Sequence, residues 1–102
     1  MSARKPRLFV SPRAQRDFQS IRLYGLTHWG APQPDAYLVR LADGISRLTD
    51  YPKICKSRDD LVHGIRSWLV GSHVIYYQAP PDTISIIRIL HERVDPSQHV
   101  FS

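Results

Sequence analysis

The chain has 102 residues, which suits one folded domain and is too short for two domains that each bury a core. Its composition, 42% hydrophobic and 23% charged, is typical of a folded protein and excludes a disordered or fibrous one. No apolar run approaches the ~20 residues that cross a bilayer, and a single cysteine, Cys55, excludes an internal disulfide. We therefore expect a cytoplasmic protein that does not enter a membrane.

The formal net charge of +5 is concentrated near the N-terminus. Residues 1–22 contain six arginine and lysine residues against one acidic residue, Asp17, and the remainder of the chain is neutral overall. This asymmetry favours an acidic partner, either nucleic acid or an acidic protein segment. A short basic run near a terminus also serves simply as a solvated surface, so both interpretations stay open.

The first half of the sequence predicts a strand and two helices. Arg7–Val10 reads as a short strand. Ser11 and Pro12 then start a helix, because serine accepts a free backbone N–H and proline needs no donor at the first helical position. The apolar spacing extends this helix to about Trp29 and, after a connector at residues 31–34, predicts a second helix that breaks at residues 50–52. Two helices joined so closely form an antiparallel hairpin.

The second half predicts strands. Residues 53–63 are polar without a period and are interpreted as a surface loop. Residues 64–70 and 73–79 flank Gly71-Ser72, which suits a two-residue type II′ hairpin turn. That turn would place Trp68 opposite Ile75, and Arg66 opposite Tyr77.

Residues 83–91 form the most apolar stretch and predict a central strand covered on both faces. Strict alternation places Ile84, Ile86 and Leu90 on one face of this strand. Ile87 and Ile89 then lie on the other face. The order β-α-α-β-β-β predicts an α+β two-layer sandwich, with the helical hairpin packed on a small, mostly antiparallel sheet. Residues 1–102 are thus expected to form a single domain with flexible ends at 1–6 and 96–102.

No motif in the sequence points to a cofactor or a metal. The five histidines lack metal-ligand spacing, and neither a glycine-rich phosphate loop nor a nucleophile elbow is present. The adjacent carboxylates Asp59 and Asp60 are interpreted as solvated loop residues or as ion-pair partners of Arg58.

Metal-free cleavage of RNA needs a base, an acid and a cation, and several side chains could supply them. The candidates for such a site are Lys53, Lys56, Arg66 and His91. Arg88 also closes the last strand, but it and His91 have opposite parity, which places them on opposite faces unless a bulge intervenes.

Short motifs occur along the chain in a recognisable order. They are Ser11-Pro12 with Ala14 and Asp17-Phe18; Ile21, Tyr24 and Trp29-Gly30; Tyr37 and Leu41; Leu48 and Pro52; Arg58-Asp59-Asp60-Leu61; Gly64-Ile65-Arg66-Ser67; His73-Val74-Ile75-Tyr76-Tyr77; and Ile87-Arg88-Ile89-Leu90-His91 with Arg93 and Asp95. In this order, from Leu8 to His91, they resemble the ParE branch of the RelE/ParE toxins from bacterial type II toxin–antitoxin systems.

The resemblance implies a toxin that inhibits DNA gyrase and blocks replication, is not an enzyme, and is neutralised by a ParD-like antitoxin. Contact with DNA is then only indirect, through the antitoxin complex. The RelE-like branch instead cleaves mRNA on the ribosome, with basic residues and a tyrosine or histidine near the last strand and tail. This sequence departs from that pattern, because no tyrosine or lysine follows His91. A RelE-like ribosome-dependent mRNA endonuclease is therefore the alternative.

The resemblance also implies two binding surfaces. An amphipathic antitoxin helix is expected in an apolar groove beside the helical hairpin, with arginines at its rim, on the set Arg13, Arg16, Phe18, Tyr24, Leu38 and Leu41. Most of the apolar members are also good core candidates. The gyrase-facing surface is expected at the last strand and tail, on Arg88, His91 and Arg93.

Overall fold

A computed structural model describes residues 6–28, 33–51, 56–80 and 82–99. Two helices pack on a five-stranded mixed sheet, which confirms the expected α+β class. The elements in chain order are β1 (Arg7–Val10), α1 (Pro12–His28), α2 (Gln33–Asp50), β2 (Lys56–Ser57), β3 (Arg66–Val70), β4 (His73–Gln78) and β5 (Thr83–His91).

The sheet has the strand order β1-β5-β4-β3-β2. β1 runs parallel to β5, and every other neighbouring pair is antiparallel. The first and last strands therefore lie side by side. β2 was not predicted: two residues of the expected surface loop pair with β3, and so short a strand leaves no period in the sequence.

The start of α1 follows the predicted cap. Ser11 Oγ accepts the Ala14 N–H at 3.0 Å and donates to the Ile87 carbonyl at 2.8 Å, so the cap also fixes the helix to β5. α2 begins at Gln33, inside the predicted connector, because Pro34 falls in the first helical turn, where its missing N–H costs nothing. In the parts of the chain that the structure describes, neither helix is long and apolar enough to cross a bilayer.

The β3–β4 hairpin has the predicted register. Trp68 lies opposite Ile75, and Arg66 lies opposite Tyr77. Gly71 has φ +59°, in the region that favours glycine and that the first position of the predicted turn requires.

A β-bulge interrupts the alternation of β5. Tyr77 pairs with Ile86 but Tyr76 pairs with Arg88, so Ile87 is the extra residue. Beyond the bulge the faces exchange, and the predicted face assignment is wrong there. Ile89 joins the core on the helical side of the sheet, and Leu90 lies on the other side.

Two apolar clusters cover the sheet. The larger one lies between the sheet and the helices, and its bulkiest fully buried members are Tyr77, Leu41, Leu48, Ile75, Ile84 and Ile86. The smaller one, on the opposite face, is centred on Ile65, Tyr76 and Leu90. Since β5 lies between β1 and β4 and contributes to both clusters, it is an interior strand covered on both faces, as the sequence predicts.

The two expected flexible ends fall partly outside the described residues, at 1–5 and 100–102. Pro96–Gln98 forms a 3-10 turn, because the Asp95 carboxylate accepts the Ser97 N–H at 3.0 Å and caps it.

Candidate functional site

A cleft of about 520 Å³ lies where the helical hairpin meets the end of the sheet. α1 forms one wall, and the other is formed by α2, the β3–β4 turn and the end of β5. Its lining residues are Ser20, Ile21, Tyr24, Tyr37, Ser72, His73 and His91. The cleft thus combines an apolar wall with aromatic rings and two histidines.

Tyr37 ties α2 to the β3–β4 turn. Its hydroxyl accepts the Ser72 N–H at 2.9 Å and is hydrogen-bonded to His73 Nδ1. The ring lies against Gly71, where a Cβ would come within 2.8 Å of the Tyr37 Cε1 atom. No larger residue fits at this turn without moving Tyr37.

His73 and His91 face each other across the β4–β5 ladder. The Glu92 N–H donates to the Ser72 carbonyl at 2.8 Å, which makes this a non-hydrogen-bonded pair, the kind that brings side chains closest. The two rings lie edge to face with their centroids 5.3 Å apart. Burial lowers the pKa of His73, the neighbouring His91 lowers it further, and His73 is therefore neutral at pH 7.

Asp17 and Arg88 form an ion pair beside the cleft, where β1 has ended and the edge of β5 is open. The Asp17 carboxylate accepts Arg88 Nε at 2.8 Å, the second Arg88 nitrogen at 3.1 Å and the Ile89 N–H at 2.9 Å. The Arg88 side chain is 15% exposed and the Asp17 side chain is 14% exposed. The pair therefore closes the sheet edge and attaches α1 to it.

The family model described as the ParE toxin of the type II toxin–antitoxin system, parDE, matches residues 8–96. The chain belongs to the ParE toxin family. Toxin ParE1 of Caulobacter vibrioides is 30% identical over 91 residues, which cover 89% of this chain and 94% of that protein. Toxin ParE of Escherichia coli is 28% identical over 87 residues, covering 84% of each.

Solved structures share the fold at lower identity. A chain of the chromosomal ParDE toxin–antitoxin system from P. aeruginosa superposes with a TM-score of 0.76 at 16% identity, covering 85% of this chain and 96% of that one. A chain of the toxin–antitoxin complex RelBE2 from Mycobacterium tuberculosis gives a TM-score of 0.66 at 18% identity, covering 86% and 99%. The ParE-family chain thus has the architecture of proteins from both kinds of system.

The residues predicted to meet an antitoxin lie on the helical hairpin. Arg13 and Arg16 are exposed on α1, and Tyr24 lines the cleft with 56% of its surface exposed. Phe18 and Leu38 are partly buried and pack against the larger core cluster.

Leu41, which was also predicted to meet the antitoxin, does not belong to that exposed set. Its side chain is 0% exposed, because it shares the buried stripe of α2 with Ile45 and Leu48 at helical spacing. It belongs to the core of this ParE-family fold and offers no surface to a partner.

The candidate nuclease residues that the structure describes do not converge. Lys53 lies outside the described residues. Lys56 and Arg66 are on neighbouring strands but on opposite faces, since each pairs with the residue adjacent to the other. His91 is at the other end of the sheet, four residue positions or roughly 13 Å along the strands from Arg66.

The loop before β3 confirms the interpretation of its two carboxylates. Arg58 binds Asp60 through two hydrogen bonds of 3.0 Å, and the Arg58 guanidinium lowers the pKa of that carboxyl. Asp59 accepts the Gly64 N–H at 2.8 Å, which lowers the pKa of Asp59. These contacts hold the loop in place on the face opposite the helices.

The sequence did not single out Tyr37 or His73 as site residues. The pairing of His73 with His91 depends on the bulge at Ile87: an unbroken register would place Leu90, and not His91, opposite His73. The only sequence signal for this histidine pair was that one histidine begins the first of two apolar strands and another ends the second. That signal becomes informative only when the pairing register of the two strands is known.

Proposed function

We propose that this ParE-family chain inhibits DNA gyrase in the cytoplasm, is not itself an enzyme, and is neutralised by a ParD-like antitoxin. The observation that carries the proposal is the family match over residues 8–96. The named relatives are toxins, and the structural neighbour from P. aeruginosa belongs to a chromosomal ParDE toxin–antitoxin system. We extend that pairing to this chain.

The cleft is the proposed docking place of the antitoxin. Tyr24 exposes an aromatic ring at its mouth, and Leu23 beside it is 62% exposed. Arg13 and Arg16 lie earlier on the same helix, in the basic N-terminal part of the chain. An amphipathic helix with an acidic edge matches this combination of apolar surface and positive charge.

The proposed gyrase-facing surface is the end of β5 and the segment after it. His91 and Arg93 are both exposed there, and the tail continues through the Pro96–Gln98 turn. Arg88 lies in the same region, but its guanidinium is bound to Asp17, so we assign it first to holding the strand edge.

The geometry disfavours the mRNA endonuclease alternative. General acid–base cleavage needs its groups within hydrogen-bond reach of one phosphate. Arg66 and His91 lie at opposite ends of the sheet, and Lys56 is on the other face from Arg66. A site built from these side chains would therefore be divided across the molecule.

The test is a supercoiling assay with purified gyrase, run beside a translation-dependent mRNA cleavage assay and a duplex-binding titration against salt. We expect loss of supercoiling, intact message and no specific duplex binding. Deleting residues 95–102 should abolish gyrase inhibition while the circular dichroism spectrum stays unchanged. A truncated protein that is still fully inhibitory contradicts the placement, and message cleavage by the full chain contradicts the function.

The matched variant for the antitoxin surface is Arg13→Ala with Arg16→Ala. It should weaken antitoxin binding and flatten the salt dependence of that binding, with gyrase inhibition preserved. Unchanged affinity and salt dependence would place the antitoxin elsewhere.

A further inference from the structure

The hydrogen bond that His91 makes fixes the position of its ring proton. The Arg93 backbone N–H can only donate, so His91 Nδ1 accepts it, at 3.1 Å. An imidazole that accepts at one nitrogen carries its proton on the other nitrogen. The ring of His91 is therefore a donor at Nε2.

The balance of donors and acceptors at Tyr37 assigns the same tautomer to His73. The Tyr37 hydroxyl accepts the Ser72 N–H at 2.9 Å, and its own proton then needs an acceptor. Among the described residues, His73 Nδ1 is the group placed to accept that proton. The reverse bond, from a protonated Nδ1 to the hydroxyl, would leave the tyrosine proton without an acceptor in this part of the chain. His73 thus also carries its proton on Nε2.

The two Nε2–H groups have no hydrogen-bond partner among the residues that the structure describes. Both imidazoles line the cleft, and their ring centroids are 5.3 Å apart. Because each Nδ1 is bound to the protein, Nε2 is the nitrogen left for a group that enters the cleft. Two N–H donors on neighbouring rings suit a ligand with two acceptor oxygens.

The carboxylates of the protein itself do not satisfy these donors. Two of them lie near enough to act on His73, namely Asp17 on α1 and Glu92 after β5. Asp17 is already bound to Arg88 and to the Ile89 N–H, and Glu92 is exposed outside the cleft lining. The α1 wall also carries three arginines against that one aspartate, so the field around the cleft favours an anion.

We propose that the cleft binds a carboxylate through the Nε2–H groups of His73 and His91, and that an acidic side chain of a docked protein segment supplies it. The apolar wall formed by Ile21 and Tyr24 covers the methylene stem of that side chain, while its charged end reaches the two rings. The identity of the segment, a stretch of the antitoxin, rests on the proposed function. The carboxylate site itself does not.

The first experiment measures the two tautomers and the binding of a small carboxylate in the full chain at pH 7.5. A long-range ¹H–¹⁵N NMR spectrum should show the proton of both imidazoles on Nε2. N-acetyl-glutamate amide, which carries one side-chain carboxylate, should then cause saturable shifts of both Nε2 signals. N-acetyl-glutamine amide has the same shape without the charge and should bind about tenfold more weakly.

Two substitutions at His91 separate the roles of its ring nitrogens. His91→Asn keeps an oxygen near the Nδ1 position for the Arg93 N–H but lacks the Nε2 donor, and it should weaken binding of the glutamate compound about tenfold. His91→Gln places an amide N–H near the Nε2 position and should retain most of the binding. The control His63→Asn alters a side chain that is 98% exposed and should change nothing.

Four results would overturn the carboxylate site. They are a proton on Nδ1 of either histidine, no saturable shift with the glutamate compound, equal binding of the glutamine compound, and equal losses in His91→Asn and His91→Gln. The first three are measured on the unmodified chain and stand whether or not the variants fold. Inorganic phosphate is the comparison anion, and tighter binding of phosphate would replace the acidic side chain by a nucleic-acid phosphate.

The carboxylate site and the proposed function fail separately. Neither gyrase nor antitoxin is present in these titrations, so a negative result leaves gyrase inhibition untouched. Conversely, a confirmed carboxylate site together with an antitoxin whose affinity is the same for His91→Asn and the unmodified chain would contradict only the placement of the antitoxin in the cleft.

Discussion

Replacing Asp17 by alanine should destabilise the fold more than the removal of any charged side chain that is exposed to solvent. The carboxylate accepts three hydrogen bonds, two from Arg88 and one from the Ile89 N–H. An unpaired amide at a covered strand edge costs about 1–3 kcal/mol. The Arg88 cation, left without its carboxylate partner, adds to this cost, although by less than in a fully buried ion pair. We expect a total loss of about 3 kcal/mol in the free energy of unfolding.

Urea denaturation at pH 7 measures this loss. With a slope of about 1.5 kcal/mol per M for a domain of this size, the midpoint should fall by about 2 M. Adding Arg88→Met should restore part of the stability, because the cation is then no longer left without its partner.

The matched control is Asp60→Ala, which breaks another two-bond arginine–aspartate pair. That pair is far more exposed, with Asp60 at 62%, so solvent screens it and the midpoint should barely move. If Asp17→Ala and Asp60→Ala shift the midpoint equally, the ion pair on β5 does not close the sheet edge as we argue.

Three further predictions concern single sites. Gly44→Ala would place a Cβ 2.6 Å from Val70 Cγ2 and should lower stability by about 1–3 kcal/mol in thermal unfolding, with Val70→Ala relieving part of the loss. Tyr37→Phe removes the acceptor of the exposed Ser72 amide and should cost about 0.5–1.5 kcal/mol, seen also as faster hydrogen exchange of that amide. The Asp59 carboxyl should titrate below its ordinary pKa of about 3.9, so its stabilising effect holds above that value and is lost as the pH falls; a midpoint at or above 3.9 contradicts this.

The features that the sequence predicted correctly are those set by a local rule. Ser11 and Pro12 start α1 because capping depends on adjacent residues, and Gly71 fixes the register of a whole hairpin because a two-residue turn leaves no freedom. The apolar run of β5 indicated a central strand because burial on both faces needs apolar side chains at every position.

The features that the sequence missed depend on distant contacts. The bulge at Ile87 has no sequence signal of its own, and its carbonyl is held by Ser11 from the other end of the chain. That single extra residue exchanged the faces of β5 and brought His91 opposite His73. Leu41 was misplaced for a different reason: periodicity identifies the apolar stripe of a helix but not which of its members remain accessible.

The parallel pairing of β1 with β5 sets the order in which a nascent chain can fold. Until residue 91 has left the ribosome, β1 lacks its neighbour, and the helical hairpin has no complete sheet to cover. Such long-range pairing closes late and slowly. Most of the polypeptide is therefore synthesised before the cleft exists, and during that interval the chain has no completed surface on which a partner could dock.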